Sequence, residues 1–101
     1  MEIFAILRRR GPAFDPAAPV EGQPAWGPHA DFMMALAREG MLLLAGPLGD
    51  REGALLIVRA VSESEAEARI AADPWTENGV LETERVARWE VRIGALPSAA
   101  G

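Results

Sequence analysis

A single histidine, His29, occurs in the chain, within the stretch GPHADFMMALAREG at residues 27–40. Imidazole is the side chain best suited to taking up and returning a proton near neutral pH, so the first question is what would orient it. Asp73, in the stretch IAADPW, is the matching candidate. It follows Ala66 by seven residues and Ile70 by three, on the same face of an expected helix. A carboxylate at that place is opposed twice, by the partial negative charge of a helix C-terminus and by burial. It needs a partner, and an inward-facing histidine supplies one: a carboxylate holding one ring nitrogen fixes the tautomer and makes the ring a better base. Each residue also has a plainer reading. A lone histidine on an apolar helix face is often a satisfied core residue, and an Asp-Pro pair often caps local backbone. Both readings stand at this stage.

Around this pair the sequence offers material for an apolar pocket. Trp26 and Trp75 flank the two candidates along the chain, and Phe32 and Met33 share the helix face of His29. The stretch GPLGD at 46–50 lacks the glycine spacing of a phosphate or dinucleotide loop, so it reads as a tight turn rimming a cavity and adds Gly46 and Pro47. The candidate catalytic residues are therefore His29 and Asp73, and the candidate substrate-binding residues are Trp26, Phe32, Met33, Gly46, Pro47 and Trp75. Arg8, Arg9 and Arg10 read as a solvated strand end.

Composition narrows the chemistry further. With no cysteine and one histidine there is no thiol nucleophile, no disulfide and little to bind a transition metal, so neither a metal nor an organic cofactor is expected. A formal net charge of −5 argues against a nucleic-acid partner. The apolar run in MEIFAILRRR is five residues long and its positive charge follows it, which fits neither a signal peptide nor a membrane span. A cytoplasmic protein is expected.

The elements that must position these residues follow from periodicity. Residues 2–8 form a short apolar strand, expected to be buried on both faces. A proline-rich loop runs from Arg9 to Trp26. Gly27 and Pro28 open the first helix, which runs to about Glu39 and stops at Gly40. MLLLAG at 41–46 and ALLIVRAV at 54–61 form a hairpin. Ser62 followed by Glu65 starts the second helix as a capping box, and Pro74 ends it. RVARWEVRI alternates with Ala87, Trp89, Val91 and Ile93 on one side, a half-buried last strand. Residues 1–94 form one domain, with 95–101 a flexible tail. The order β-α-β-β-α-β is the ferredoxin-like split unit, an α+β fold with an antiparallel sheet and both helices on one face. Two helices leave the other face uncovered, so a homodimer joined sheet to sheet is expected.

The combination HADFMMALAREG, then LAGPLGD, then an apolar strand, a Ser/Glu-started helix and DPW resembles the YCII-related (YciI-like) proteins, small members of the dimeric α+β barrel group. The resemblance covers Ile3 to about Ile93. It implies a ferredoxin-like fold, a sheet-to-sheet dimer and a His/Asp active site falling on His29 and Asp73. The long loop with Trp26 to His29 resembles a subgroup carrying W-x-x-H before the helix. What the resemblance implies for activity is lyase-like or dehalogenation chemistry on small ring compounds. The function expected is His/Asp general acid–base chemistry, lyase- or isomerase-like, on a small and mostly apolar metabolite. A non-catalytic small-molecule-binding or stability module is the alternative, and a cofactor-independent oxygenase is a third option by analogy of fold alone.

Overall fold

The computed structural model describes residues 1–49 and 52–96. Its elements are β1 (Glu2–Arg10), a single 3-10 turn (Val20–Gly22), α1 (Trp26–Arg38), β2 (Leu42–Pro47), β3 (Gly53–Ala60), α2 (Glu63–Ala71), α3 (Pro74–Glu77) and β4 (Leu81–Arg88). The strands form one antiparallel sheet in the order β2-β3-β1-β4, as a ferredoxin-like split unit requires. No helix among the described residues is long and apolar enough to cross a membrane.

Strand β1 alternates instead of being buried on both faces. Phe4, Ile6 and Arg8 turn toward the helices and are buried, while Ile3, Ala5 and Leu7 turn the other way and stay partly exposed. Register then assigns the faces of its neighbours: Phe4 pairs with Val58 and Ile6 with Leu56, whereas Ala5 pairs with Ile57 and Leu7 with Leu55. The helix face carries the core, in which Leu36 of α1 and Ala66 and Ile70 of α2 pack with Phe4, Ile6, Leu42, Leu56 and Val58. The open face presents Ile3, Ala5, Leu7, Leu44, Leu55, Ile57 and Ala87, with Leu44 half exposed.

Helix α1 begins two residues ahead of the expected Gly27–Pro28 start. Ala25 holds a left-handed conformation at φ 62°, and its carbonyl accepts the first helical bond from the His29 N–H, 2.9 Å. Pro28 still falls inside the first turn, where its missing N–H costs nothing. At the other end Gly40, at φ 83°, terminates the helix as expected. The Met41 N–H reaches the Leu36 carbonyl and the Gly40 N–H reaches that of Ala37, the paired bonds of a Schellman stop. Ser62 caps α2 by accepting the Glu65 N–H, 3.1 Å, while the Glu65 carboxylate accepts from Val61 N–H, 3.0 Å.

Two further expectations fail. Pro74 does not merely end α2; it opens a further helical turn, α3, with proline at the first position and Asp73 as its N-cap. The last strand lies earlier than RVARWEVRI: β4 starts at Leu81 and ends at Arg88, so Trp89 contributes one more backbone bond, to Ile3, and stays about half exposed while Ile93 is solvated. Regular pairing with β1 ends at Phe4 and Arg88, although β1 itself continues to Glu2. Of the expected tail, residues 97–101 lie outside the described residues, as do Asp50 and Arg51 of the expected hairpin turn.

The loop leaving β1 is tied down at once. The Gly11 N–H donates to Val80 and the Ala13 N–H to Gly79. A side chain on Gly11 would overlap the Gly79 carbonyl, a backbone atom that cannot rotate away. Gly11→Ala is expected to destabilise the protein by about 1–3 kcal/mol through this overlap. The check is a lower urea midpoint at unchanged slope, and a midpoint equal to that of the parent protein would show that the junction yields.

Candidate active site

Three elements bring the site together: the C-terminal half of β1, the first turn of α1 and the α2–α3 junction. Asp73 is fully buried, and each of its carboxylate oxygens is engaged. Oδ1 lies 2.8 Å from His29 Nδ1 and accepts the Trp75 backbone N–H at 3.0 Å. Oδ2 lies 3.4 Å from Nη1 of Arg8, whose own exposure is 1 %. The two readings of Asp73 are therefore both true at once, since one oxygen caps α3 and also holds the imidazole.

A carboxylate oxygen can only accept, so the Nδ1 facing it carries a proton, and in the neutral ring it is Nε2 that has the lone pair. With Nδ1 turned to a fully buried carboxylate, the Nε2 edge of the ring is left to meet the cavity that His29 lines. The ring plane is fixed as well. His29 stacks on Trp75 with centroids 3.7 Å apart and planes 10° from parallel. The Trp75 indole N–H donates to the Pro24 carbonyl, 2.7 Å, so the surface against which the histidine lies is itself anchored.

Arg8 is the residue that reading RRR as a solvated end misplaced. Arg9 fits that reading, exposed and paired with Glu82 at 3.1 Å. Arg8 instead shares the inward face with Phe4 and Ile6, and the two-residue period of β1 was the signal that could have found it. Its Nη2 donates to Thr76 Oγ1, 2.6 Å, and that hydroxyl donates onward to the Ile70 carbonyl, 2.9 Å. Its Nε is buried without an acceptor among the described residues. Burial pushes the guanidinium below its ordinary pKa, and the charge and hydrogen bond of Asp73 act against that shift.

A cavity of about 480 Å³ opens over His29. Trp26, Met33, Gly46, Pro47 and Trp75 line it together with His29, as do Arg10, Phe14, Val20, Met34, Ala54 and Leu81. Phe32 is the exception among the expected pocket residues. It packs against the core cluster and is not part of the cavity wall, because it sits one position before Met33, about 100° further round α1. Trp26 lies 6.0 Å from His29 and 5.7 Å from Trp75, centroid to centroid, so it borders the stacked pair without joining it.

The proline-rich segment from Gly11 to Ala25 forms the roof, contributing Phe14 and Val20. Gln23, 3 % exposed, holds this segment together. Its amide oxygen accepts the Asp15 N–H, 2.8 Å, and its Nε2 faces the carbonyls of Asp15, Ala18 and Pro19 at 2.7, 3.2 and 3.3 Å. Nothing in the local pattern of prolines marks Gln23 for this role. The Pro24 carbonyl accepts from both Trp75 and Asn78 and so fastens the roof to α3.

A small antiparallel α+β unit with a carboxylate-held histidine on an apolar cavity is the class of protein these features define. The YCII-related domain family matches residues 4–90, and the chain belongs to that family. Among solved structures it is similar to the 5-chloro-2-hydroxyhydroquinone dehydrochlorinase TftG of Burkholderia phenoliruptrix in complex with 2,5-dihydroxybenzoquinone. The likeness is at 24 % identity with a TM-score of 0.64, over 87 % of this chain and 93 % of that one, and it concerns the fold. No curated protein matches the sequence.

Proposed function

We propose that the protein is a cytoplasmic enzyme in which His29 acts as general base, oriented by Asp73, in lyase- or isomerase-like chemistry on a small, mostly apolar metabolite, without metal or organic cofactor. The observation that carries this reading is the 2.8 Å contact from His29 Nδ1 to a buried carboxylate, in a histidine that lines an apolar cavity. In an elimination, Nε2 takes a proton from the substrate, the freed electron pair forms a new double bond, and the leaving group departs with its own bonding pair. In an isomerisation, the same proton returns to a different atom. Asp73 offsets the charge of the imidazolium formed in either case, and Arg8 lies 3.4 Å from its other oxygen. Trp26, Met33, Gly46, Pro47 and Trp75 would bind the substrate body. The dehydrochlorination named for the structural neighbour is an elimination of this kind, which supports the reading.

The test is to incubate the purified protein in deuterated water with a panel of small hydroxylated ring compounds, 5-chloro-2-hydroxyhydroquinone among them, and to follow deuterium uptake by NMR and chloride release by electrode. Exchange or release that depends on His29 is expected. Saturable binding of panel members with neither reaction would replace this reading by a non-catalytic binding module.

We further propose that two copies join through the open sheet face. In its apolar row, Leu44 is half exposed and Ala5 and Ala87 are partly exposed in one chain, with only Ile57 buried. Sedimentation equilibrium at micromolar concentration is expected to give twice the 10.8 kDa chain mass, with Leu44→Glu shifting it toward the single chain. A stable single-chain mass for the unsubstituted protein would refute the pairing.

A further inference from the structure

Arg10 is a charged group of the cavity wall that the base and its carboxylate leave unexplained. Of the other ionisable groups there, His29 and Arg8 are committed to Asp73, and Glu52 has a partner of its own. The Arg10 guanidinium lies over the Phe14 ring, 4.2 Å from its centroid, and among the described residues no carboxylate pairs with it. An aromatic face steadies a guanidinium from one side and leaves its N–H edge available to donate. Arg9, the intervening residue, turns to the opposite face of β1 and pairs there with Glu82. Arg8 and Arg10 share the inward face two residues apart, so a group held by Arg10 sits about 7 Å outward of the Arg8–Asp73 pair that backs the histidine. That spacing is roughly the width of a substituted ring. A chain of net charge −5 repels anions at long range, which makes a cation in a mostly apolar wall the more telling.

We propose that Arg10 is an anion anchor, and that the ligand of this cavity is a small, mostly apolar compound bearing one anionic oxygen group, a carboxylate or a phenolate. The anion takes charge-assisted hydrogen bonds from Arg10 while the apolar body lies against Phe14 and Met33 and reaches the Nε2 edge of His29. The inference deepens the proposed function, resting on its reading of the cavity as the substrate site, and adds the charge of the substrate and the residue that selects it.

Ligand-observed NMR titrations test it with two matched pairs, benzoate against benzamide and pentafluorophenolate against pentafluorobenzene. At least one anion is expected to bind about tenfold more tightly than its neutral counterpart. Preference for benzoate alone points to a carboxylic acid as the natural ligand, preference for the phenolate alone to a phenol, and preference for neither overturns the proposal. Arg10→Met is expected to erase the preference and Arg10→Lys to retain part of it, while Arg9→Gln leaves it unchanged. A preference that survives in Arg10→Met overturns the assignment. His29→Asn is expected to keep the preference, and its loss there would move the anion to the imidazole and equally overturn the assignment. Because binding is the readout, a protein that turns over none of the panel can still confirm or refute the anchor.

Discussion

Replacing His29 by asparagine is expected to lower turnover by about 100- to 10,000-fold, the range that a positioned proton-transfer group contributes. The loss should fall on kcat more than on KM, because the imidazole is one edge of a wall that Trp26, Met33 and Trp75 continue. The side chain is only 12 % exposed and stacks on Trp75, so some stability will go with it, on the order of 1 kcal/mol for an aromatic pair. Circular dichroism and a melting curve separate that loss from the catalytic one. The compound used is whichever member of the panel shows exchange or chloride release. A variant that turns it over within a few-fold of the parent rate would remove His29 as the base.

Asp73→Ala is expected to produce the largest loss of stability, at least ~3 kcal/mol, because it leaves the Arg8 cation buried without a counter-charge. The same change removes the cap of α3 at Trp75, worth about another 1 kcal/mol. For a domain of this size the fall in Tm is on the order of 15 °C or more. Arg8→Met alone removes the charge that needs a partner and the orphaned Nε together. The double variant Arg8→Met/Asp73→Ala should therefore lose clearly less than the sum of the two single losses. Additive losses would mean that Arg8 and Asp73 are buried near each other without depending on each other.

Much of this site was legible in the sequence because it follows from two periods. The helical period places His29 inward with Met33 and Leu36, whereas Asp73 lies past the end of α2 and reaches the site as the N-cap of α3. The strand period would have placed Arg8 inward too, had the run of three arginines been read position by position instead of as one charged block. A single composition-based judgement hid an alternation that Phe4 and Ile6 had already set. Phe32 shows the reverse error: it was grouped with His29 by a face drawn too wide, and one residue of rotation sends it to the core. Pro74 both forbids the helix before it and suits the first position of a helix after it, so the α3 turn carries the same sequence mark as the stop of α2. Gln23 carried no sequence signal, since its partners are backbone carbonyls of an irregular loop whose path no period describes. The last strand is displaced because alternation is a property of one segment and pairing of two: the pattern persists through Ile93, while the pairing with β1 covers Leu81 to Arg88.

The polar groups described at the site bond to one another within a single chain. Arg8, His29, Asp73 and Thr76 are held by bonds within it, and the roof is fastened to α3 by the Pro24 carbonyl and knotted on itself by Gln23. The cavity lies on the helix side of the sheet, and the apolar face suited to pairing lies on the other. Two copies joined back to back would thus carry two complete and outward-facing sites, separated by the full thickness of both sheets. Occupying one would leave the other's affinity untouched, and the saturation curve of the assembly would be hyperbolic, with a Hill coefficient of about one because no state of one site is read by its twin.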